Sequence, residues 1–237
     1  MRAMQLDQPG TALKLVEIDI PTPGSQQLLV KVRTCGVCRT DLHVLDGELS
    51  QTIYPIIPGH QIVGNVVGLE SKVKGFSPGQ RVGIPWLGFS CGSCEYCRAG
   101  KENLCAEALY TGCQINGGFA EYCVADHRYC FHLPDSYQDT QVAPLLCAGL
   151  IGYRAYGMIG DVSHIGFMGF GASAHILTQL AVCQDKSIYA FTRKGDNKAQ
   201  EFALQLGAAA GNHSHTLGLI NLFQDSADVP HDFLKTG

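Results

Sequence analysis

From the N-terminus to Leu133, apolar residues come in short runs closed by turn chemistry. Residues 1–6 and 13–18 are apolar-rich and separated by Pro9-Gly10, and Pro21-Thr22-Pro23-Gly24 ends the second run. Leu28–Val32 alternates into a cysteine-bearing turn. Ile62–Leu69, Arg81–Ile84 after Ser77-Pro78-Gly79, Phe119–Val124 and Tyr129–Leu133 continue the series. The pattern predicts a compact, mostly β unit. At Ala143–Tyr156 a continuous apolar run with few turn residues predicts a buried helix leading out of it.

From Ile165 the period changes. Ile165–Phe170 reads as a short buried strand ending in glycine; Ile176, Leu177, Leu180 and Ala181 supply a helical stripe; Ser187–Thr192 reads as a second strand. Ala199, Phe202, Ala203 and Leu206 fall at i, i+3, i+4 and i+7, and Gly207 stands where a helix stops. This is β-α-β-α, the start of a parallel sheet, with a short third strand expected near Ala208–Gly211. The uncharged stretch Val162–Gln184 has about the length of a membrane span, but it carries His164, His175, Thr178, Gln179 and a Gly-x-Gly. It reads as strand, turn and buried helix, so no membrane partner is expected.

The 237 residues are 46% apolar, which excludes a disordered chain and a miniature disulfide scaffold. Seventeen basic and 21 acidic side chains give −4 with no basic run, so nucleic acid is not an expected partner. Eleven cysteines cannot all pair within one chain. Met1–Asp7 has no leader-like apolar core, which sets a cytoplasmic, reducing location as the expectation. Thiols there bind metal or do chemistry.

Three segments carry that chemistry. Cys91-x2-Cys94-x2-Cys97-x7-Cys105 can place four thiolates tetrahedrally around one Zn2+, a closed, structural arrangement. An iron–sulfur cluster, disulfides or free thiols are the competing readings. Cys35-Gly36-Val37-Cys38-Arg39-Thr40-Asp41-Leu42-His43, followed by Pro58-Gly59-His60-Gln61, offers ligands for an open zinc site completed by one distant cysteine. Cys35-x-x-Cys38 also reads as a redox pair or as two buried thiols. Gly169-Phe170-Gly171-Ala172-Ser173-Ala174, after a strand and opening a helix, fits the dinucleotide fingerprint with alanine last. At the end of the second strand, where an acidic residue would clasp the ribose of NAD, stands Thr192, followed by Arg193 and Lys194. These cations read either as a 2′-phosphate site, which makes NADP as natural as NAD, or as a solvated turn.

The three segments in this order, with Pro144-Leu145-Leu146-Cys147-Ala148-Gly149 between the second and third, resemble the zinc-dependent medium-chain alcohol dehydrogenases from Met1 to about Gly211. The resemblance implies an α+β and α/β chain: a GroES-like, β-rich catalytic domain over 1–153, then an incomplete Rossmann doubly wound parallel sheet over 154–237. It implies two Zn2+, a catalytic ion on Cys38, His60 and Cys147 and a structural ion on Cys91, Cys94, Cys97 and Cys105. Thr40 and His43 resemble the proton relay, Asp41 the carboxylate that orients His60, and Arg39 a pyrophosphate contact. Gly169, Gly171, Ala172, Ser173 and Ala174 would hold NAD or NADP, with Thr192 and Arg193 at its ribose. Trp86 resembles a wall of the substrate pocket, and reads equally as a core filler. The implied reaction is oxidation of a small alcohol to an aldehyde or ketone, with hydride passing to nicotinamide.

The chain departs from the family in three places. Gln61 stands where glutamate is usual beside the ligand histidine, removing a charge near the metal and retaining hydrogen bonding. Thr192 replaces the acidic ribose clasp. The text from about Asn212, including Leu217–Phe223, no longer resembles the family, and the segment for its usual homo-oligomer is missing. A zinc-binding fragment without turnover is therefore the alternative to an active dehydrogenase. Cys113, Cys123, Cys130 and Cys183 are expected as buried small thiols. His127, His132, His164, His175, His213, His215 and His231 are expected as surface or satisfied core side chains.

Overall fold

The computed structural model describes residues 1–209, which gather into two compact units, Met1–Cys147 and the residues from Ala148 onward. In the first unit β1 (Arg2–Gln5) and β2 (Lys14–Glu17) form an antiparallel pair. There follow β3 (Gln27–Gly36), α1 (Arg39–Asp46), β4 (Gln61–Leu69), β5 (Arg81–Ile84), β6 (Leu87–Phe89), α2 (Glu95–Arg98), β7 (Leu109–Tyr110), β8 (Tyr122–Asp126) and β9 (Phe131–His132). Five of the strands make an antiparallel sheet in the order β8-β3-β4-β5-β9, while β6 and β7 pair separately. Leu28 and Val30 alternate with less buried neighbours on β3 and join Ile62, Val66, Val82 and Ile84 in one core. That is the half-buried strand periodicity the sequence shows.

β3 runs four residues past the expected Leu28–Val32. The ladder to β4 continues through Cys35↔Ile62 and Gly36↔Gln61 although its side chains turn polar, because backbone pairing needs no apolar residue. The expected helix over Ala143–Tyr156 is broken. A short α3 (Asp139–Val142) passes into a 3-10 turn over Ala143–Leu146, and α4 (Ala148–Tyr156) starts afresh. Pro144 cannot donate a backbone hydrogen bond, and Cys147 leaves helical geometry at φ −131°, ψ −78°. Leu146, Val142 and Ala143 pack with Val63 of β4, which fixes Cys147 beside the sheet.

The second unit follows the expected β-α-β-α order. β10 (His164–Met168) pairs in parallel with β11 (Ser187–Phe191), with α5 (Ala172–Cys183) between them and α6 (Asn197–Gln205) after. Ile165, Phe167, Ile188, Leu177, Ala181 and Ala203 form its core. Gly207, at φ +94°, follows the end of α6. Ala209 N–H donates to Ile188 O, but residues 208 and 209 are not strand, and the remainder of the expected third strand lies outside the described residues. So do His213, His215, His231 and the tail from 212.

The expectation for the isolated thiols holds for Cys113, Cys123 and Cys130, which are buried. It fails for Cys183, which is exposed: the buried stripe of α5 is Ala174, Leu177, Thr178 and Ala181, and position 183 falls on the opposite face. All eleven cysteines are free. Among the described residues no helix is long and apolar enough to cross a membrane.

Candidate metal centres and active site

The loop around α2 brings the thiols of Cys91, Cys94, Cys97 and Cys105 within 4.8 Å of one another. Cys91 Sγ lies 3.6 Å from Cys105 Sγ and 3.9 Å from Cys97 Sγ. These separations exceed a disulfide bond of about 2.05 Å and approach the edge, about 3.8 Å, of a tetrahedron with metal–sulfur bonds of about 2.3 Å. Backbone N–H groups of Ser93 and Cys94 donate to Cys91 Sγ, and that of Cys97 donates to Cys94 Sγ. Hydrogen bonds to sulfur favour thiolate, and chiefly these backbone donors pull Cys91 down to about 6. Ser90 Oγ lies 3.3 Å from Cys97 Sγ and is itself held by the Tyr129 hydroxyl.

The second cluster is assembled from distant parts of the first unit. Cys38 is the N-cap of α1, and Cys147 follows the 3-10 turn 109 positions later; their sulfurs are 3.6 Å apart. Cys35 instead packs against the sheet core, so the Cys35-x-x-Cys38 thiols are turned to different surroundings. His60 follows Gly59, whose φ of +97° is readily adopted only without a side chain. A Cβ there would also stand 2.6 Å from Phe119 and 2.8 Å from Cys35 Sγ. The ligand atoms of Cys38, His60 and Cys147 lie within 4.8 Å of one another.

Asp41 ties this cluster together. One carboxylate oxygen accepts Cys38 N–H at 2.8 Å; the other faces His60 Nδ1 at 3.0 Å and accepts Gly59 N–H at 3.2 Å. Asp41 and His60 are 2% and 1% exposed. A carboxylate can only accept, so His60 carries its proton on Nδ1 and turns a lone pair outward on Nε2. Nε2 is buried and has no hydrogen-bond partner among the described residues. Such an orphan costs about 1–3 kcal/mol unless something meets it, and a cation flanked by two sulfurs would. Without a metal, burial disfavours the His60 cation, but Asp41 and Cys38 outweigh it and raise the ring to about 9, so the Nε2 lone pair becomes available to a metal ion as that ion displaces the second proton. The contact with Cys147 pulls the Cys38 thiol down to about 3, and raises that of Cys147. The donor set fits a soft-to-borderline divalent ion such as Zn2+.

The other expected residues fall around these two sites and on the second unit. Thr40 Oγ1 is 3.8 Å from Cys38 Sγ. His43, one turn further along α1, contacts the Glu48 carboxylate through Nδ1. Arg39 is exposed at the start of α1. Gln61 is 4% exposed, and its side chain acts to lower the Cys147 thiol against the larger raising effects of Cys38 and burial. Trp86 meets the His60 ring edge-on at 4.9 Å, stacks on Tyr110 at 5.1 Å, and packs against the Leu6–Val44–Ile56 core. In the second unit Gly169 adopts φ +81°, and Gly171 caps α5 with no side chain in the way. A Cβ on either glycine would meet nothing within 4 Å, so this turn is open to a ligand as a pyrophosphate cradle must be. Ala174 is buried between helix and strand, while the Ser173 hydroxyl donates to Ala148 O. Gln200 Nε2 donates to Thr192 Oγ1, and Arg193 and Lys194 are exposed.

The sequence reading missed Ser90, Tyr129 and Glu48. The first two carry no spacing signal; Glu48, directly after the helix-stopping Gly47, carries a weak one.

The chain thus joins a β-rich unit bearing two clusters of metal-ligand side chains to a βαβ unit bearing a glycine turn. Residues 24–135 match the alcohol dehydrogenase GroES-like domain. The chain is 43% identical over 241 residues to a probable alcohol dehydrogenase of Mycobacterium tuberculosis, covering 97% of this chain and 66% of that protein. It is 39% identical over 235 residues to an alcohol dehydrogenase of Geobacillus stearothermophilus, covering 98% and 67%. Its fold matches a cobalt- and zinc-bound thermostable alcohol dehydrogenase of Pyrobaculum aerophilum with a TM-score of 0.79 at 27% identity, covering 88% of this chain and 64% of that one. It also matches the Helicobacter pylori CAD complexed with NADP(H), with a TM-score of 0.77 at 27% identity and the same two coverages. The chain belongs to the zinc-dependent medium-chain alcohol dehydrogenase family, with a GroES-like unit and part of a Rossmann unit. It spans about two thirds of the length of these curated relatives.

Proposed function

We propose that the protein is a zinc-dependent alcohol dehydrogenase, oxidising a small alcohol to an aldehyde or ketone with NAD or NADP as hydride acceptor. The observation that carries this reading is the meeting of Cys38, Cys147 and the unpartnered His60 Nε2 around one point. Three protein ligands leave a fourth position for substrate, the mark of a catalytic zinc site, whereas the four-cysteine loop is closed.

In this reading Cys38, His60 and Cys147 hold the catalytic Zn2+, and Cys91, Cys94, Cys97 and Cys105 the structural one. When bound, the catalytic ion supplies Lewis acidity that lowers the pKa of an alcohol. Asp41 keeps the His60 lone pair directed at the metal. Thr40 accepts the substrate's hydroxyl proton as it passes its own on toward His43, which carries it to solvent. Trp86, edge-on to His60, bounds the substrate, and Gln61 supplies an amide near Cys147 without adding charge. Gly169, Gly171, Ala172, Ser173 and Ala174 receive the pyrophosphate at the N-terminus of α5, Arg39 is a further cation for it, and Thr192 and Arg193 meet the ribose. In this reading the catalytic domain is residues 1–153 and the nucleotide-binding domain residues 154–237. Free thiols throughout suit a cytoplasmic setting.

Mixing the zinc-loaded chain with a primary alcohol and either cofactor tests this directly. Appearance of reduced nicotinamide, abolished by Cys38→Ala, is the expected result. Two bound zincs with no reduction in any mixture would replace it with a metal-binding chain that transfers no hydride.

A further inference from the structure

Glu48 belongs to none of the motifs above, yet it grips His43 twice. Gly47 ends α1 in a left-handed turn at φ +76°, and this swings the chain back so that Glu48 N–H donates to His43 O at 2.9 Å. The Glu48 carboxylate then meets His43 Nδ1. The turn has little room to move: Gly10 N–H donates to Leu45 O at 2.7 Å, and a Cβ on Gly47 would stand 2.5 Å from Pro9 Cβ.

We propose that Glu48 is the positioning residue for His43, holding the imidazole in its Nδ1–H tautomer so that Nε2 is the proton acceptor, and receiving the outgoing proton. The inference rests on the relay role of His43 proposed above. A neutral imidazole has one donor and one acceptor nitrogen, and a carboxylate only accepts, so the partner of Nδ1 decides which nitrogen is basic. A proton arriving at Nε2 makes an imidazolium. The Nδ1 proton then leaves to the Glu48 carboxylate, which passes it to water and is regenerated; the ring returns to its starting tautomer when water takes the Nε2 proton and delivers one to Nδ1, with no net change in protons. Exposure rises in the direction this transfer needs, from 23% for the His43 side chain to 56% for Glu48.

The test is 15N NMR of the zinc-loaded chain labelled at histidine, at a pH where the ring is neutral, with His43→Gln used to assign the His43 signals. The expected result is a protonated Nδ1 and an acceptor Nε2 in the parent. Glu48→Gln should preserve that tautomer, because its amide oxygen also accepts, and Glu48→Ala should lose it. Alcohol oxidation should fall about five- to tenfold in kcat for Glu48→Ala at unchanged zinc content, with Glu48→Gln less affected. An unprotonated Nδ1 in the parent, or the parental tautomer retained in Glu48→Ala, would overturn the inference. Absence of turnover in every variant would count against the dehydrogenase reading instead, and the tautomer would still decide the role of Glu48.

Discussion

Asp41 faces His60 across 3.0 Å with one carboxylate oxygen and holds the Cys38 N–H with the other, so one buried side chain orients two of the three side chains proposed as ligands of the open site. Asp41→Ala removes both restraints. Outer partners of ligand histidines are typically worth about 10- to 100-fold in metal affinity. Chelator competition on the variant should show one zinc weakened to that extent and the other, on the four-cysteine loop, unchanged. An open-site affinity unchanged from the parent would mean that Asp41 does not orient the ligands.

Gly59→Ala should be strongly destabilising, by about 2–4 kcal/mol, because it combines a left-handed backbone with a clash against Phe119 and Cys35. Urea unfolding measures this. Gly10→Ala, also at positive φ but with open space around it, should lose less, and the difference isolates the packing contribution.

Burial pushes the Cys130 thiol up to about 12 and that of Cys123 further. In the unfolded chain both would ionise near pH 8.5. Below that pH the two states bind the same protons and the thiols' contribution is fully present. Above it the unfolded chain ionises first, so stability falls by about 1.4 kcal/mol per pH unit for each thiol up to the folded value. Urea midpoints should therefore drop between pH 9 and about 12, and Cys130→Ala should flatten part of the slope. A midpoint independent of pH over that window would contradict the burial.

Thiol labelling of the native, zinc-loaded chain should report Cys183 first, since it alone of the eleven is exposed. Cys183→Ser should remove the fast phase and leave metal content unchanged. A fast phase that survives this change would show that a second thiol is accessible.

Much of the scaffold could be read from periodicity. Leu28 and Val30 on β3, and the β10-α5-β11 succession with its glycine turn, followed from side-chain spacing alone. The helix that carries Thr40 and His43 did not, because eight residues with charges at 39, 41 and 46 show little apolar stripe; its signal was the capping pattern of Cys38 and Asp41. The four-cysteine loop is local in sequence and was legible as such. The open site is not local: nothing in spacing links Cys38 to Cys147, and only family resemblance named the pair before the fold brought their sulfurs to 3.6 Å. The break in the helix at Cys147 was hidden for the same reason, since an apolar run does not reveal where packing on Val63 interrupts it.

Native mass spectrometry of the zinc-reconstituted chain bears most directly on the paired sites. The parent should carry two zinc ions, Cys38→Ala one, and Cys97→Ala one, with the double variant binding none. Two ions retained in Cys38→Ala, or a single ion in the parent that is lost only with Cys97→Ala, would contradict a metal held by Cys38, His60 and Cys147.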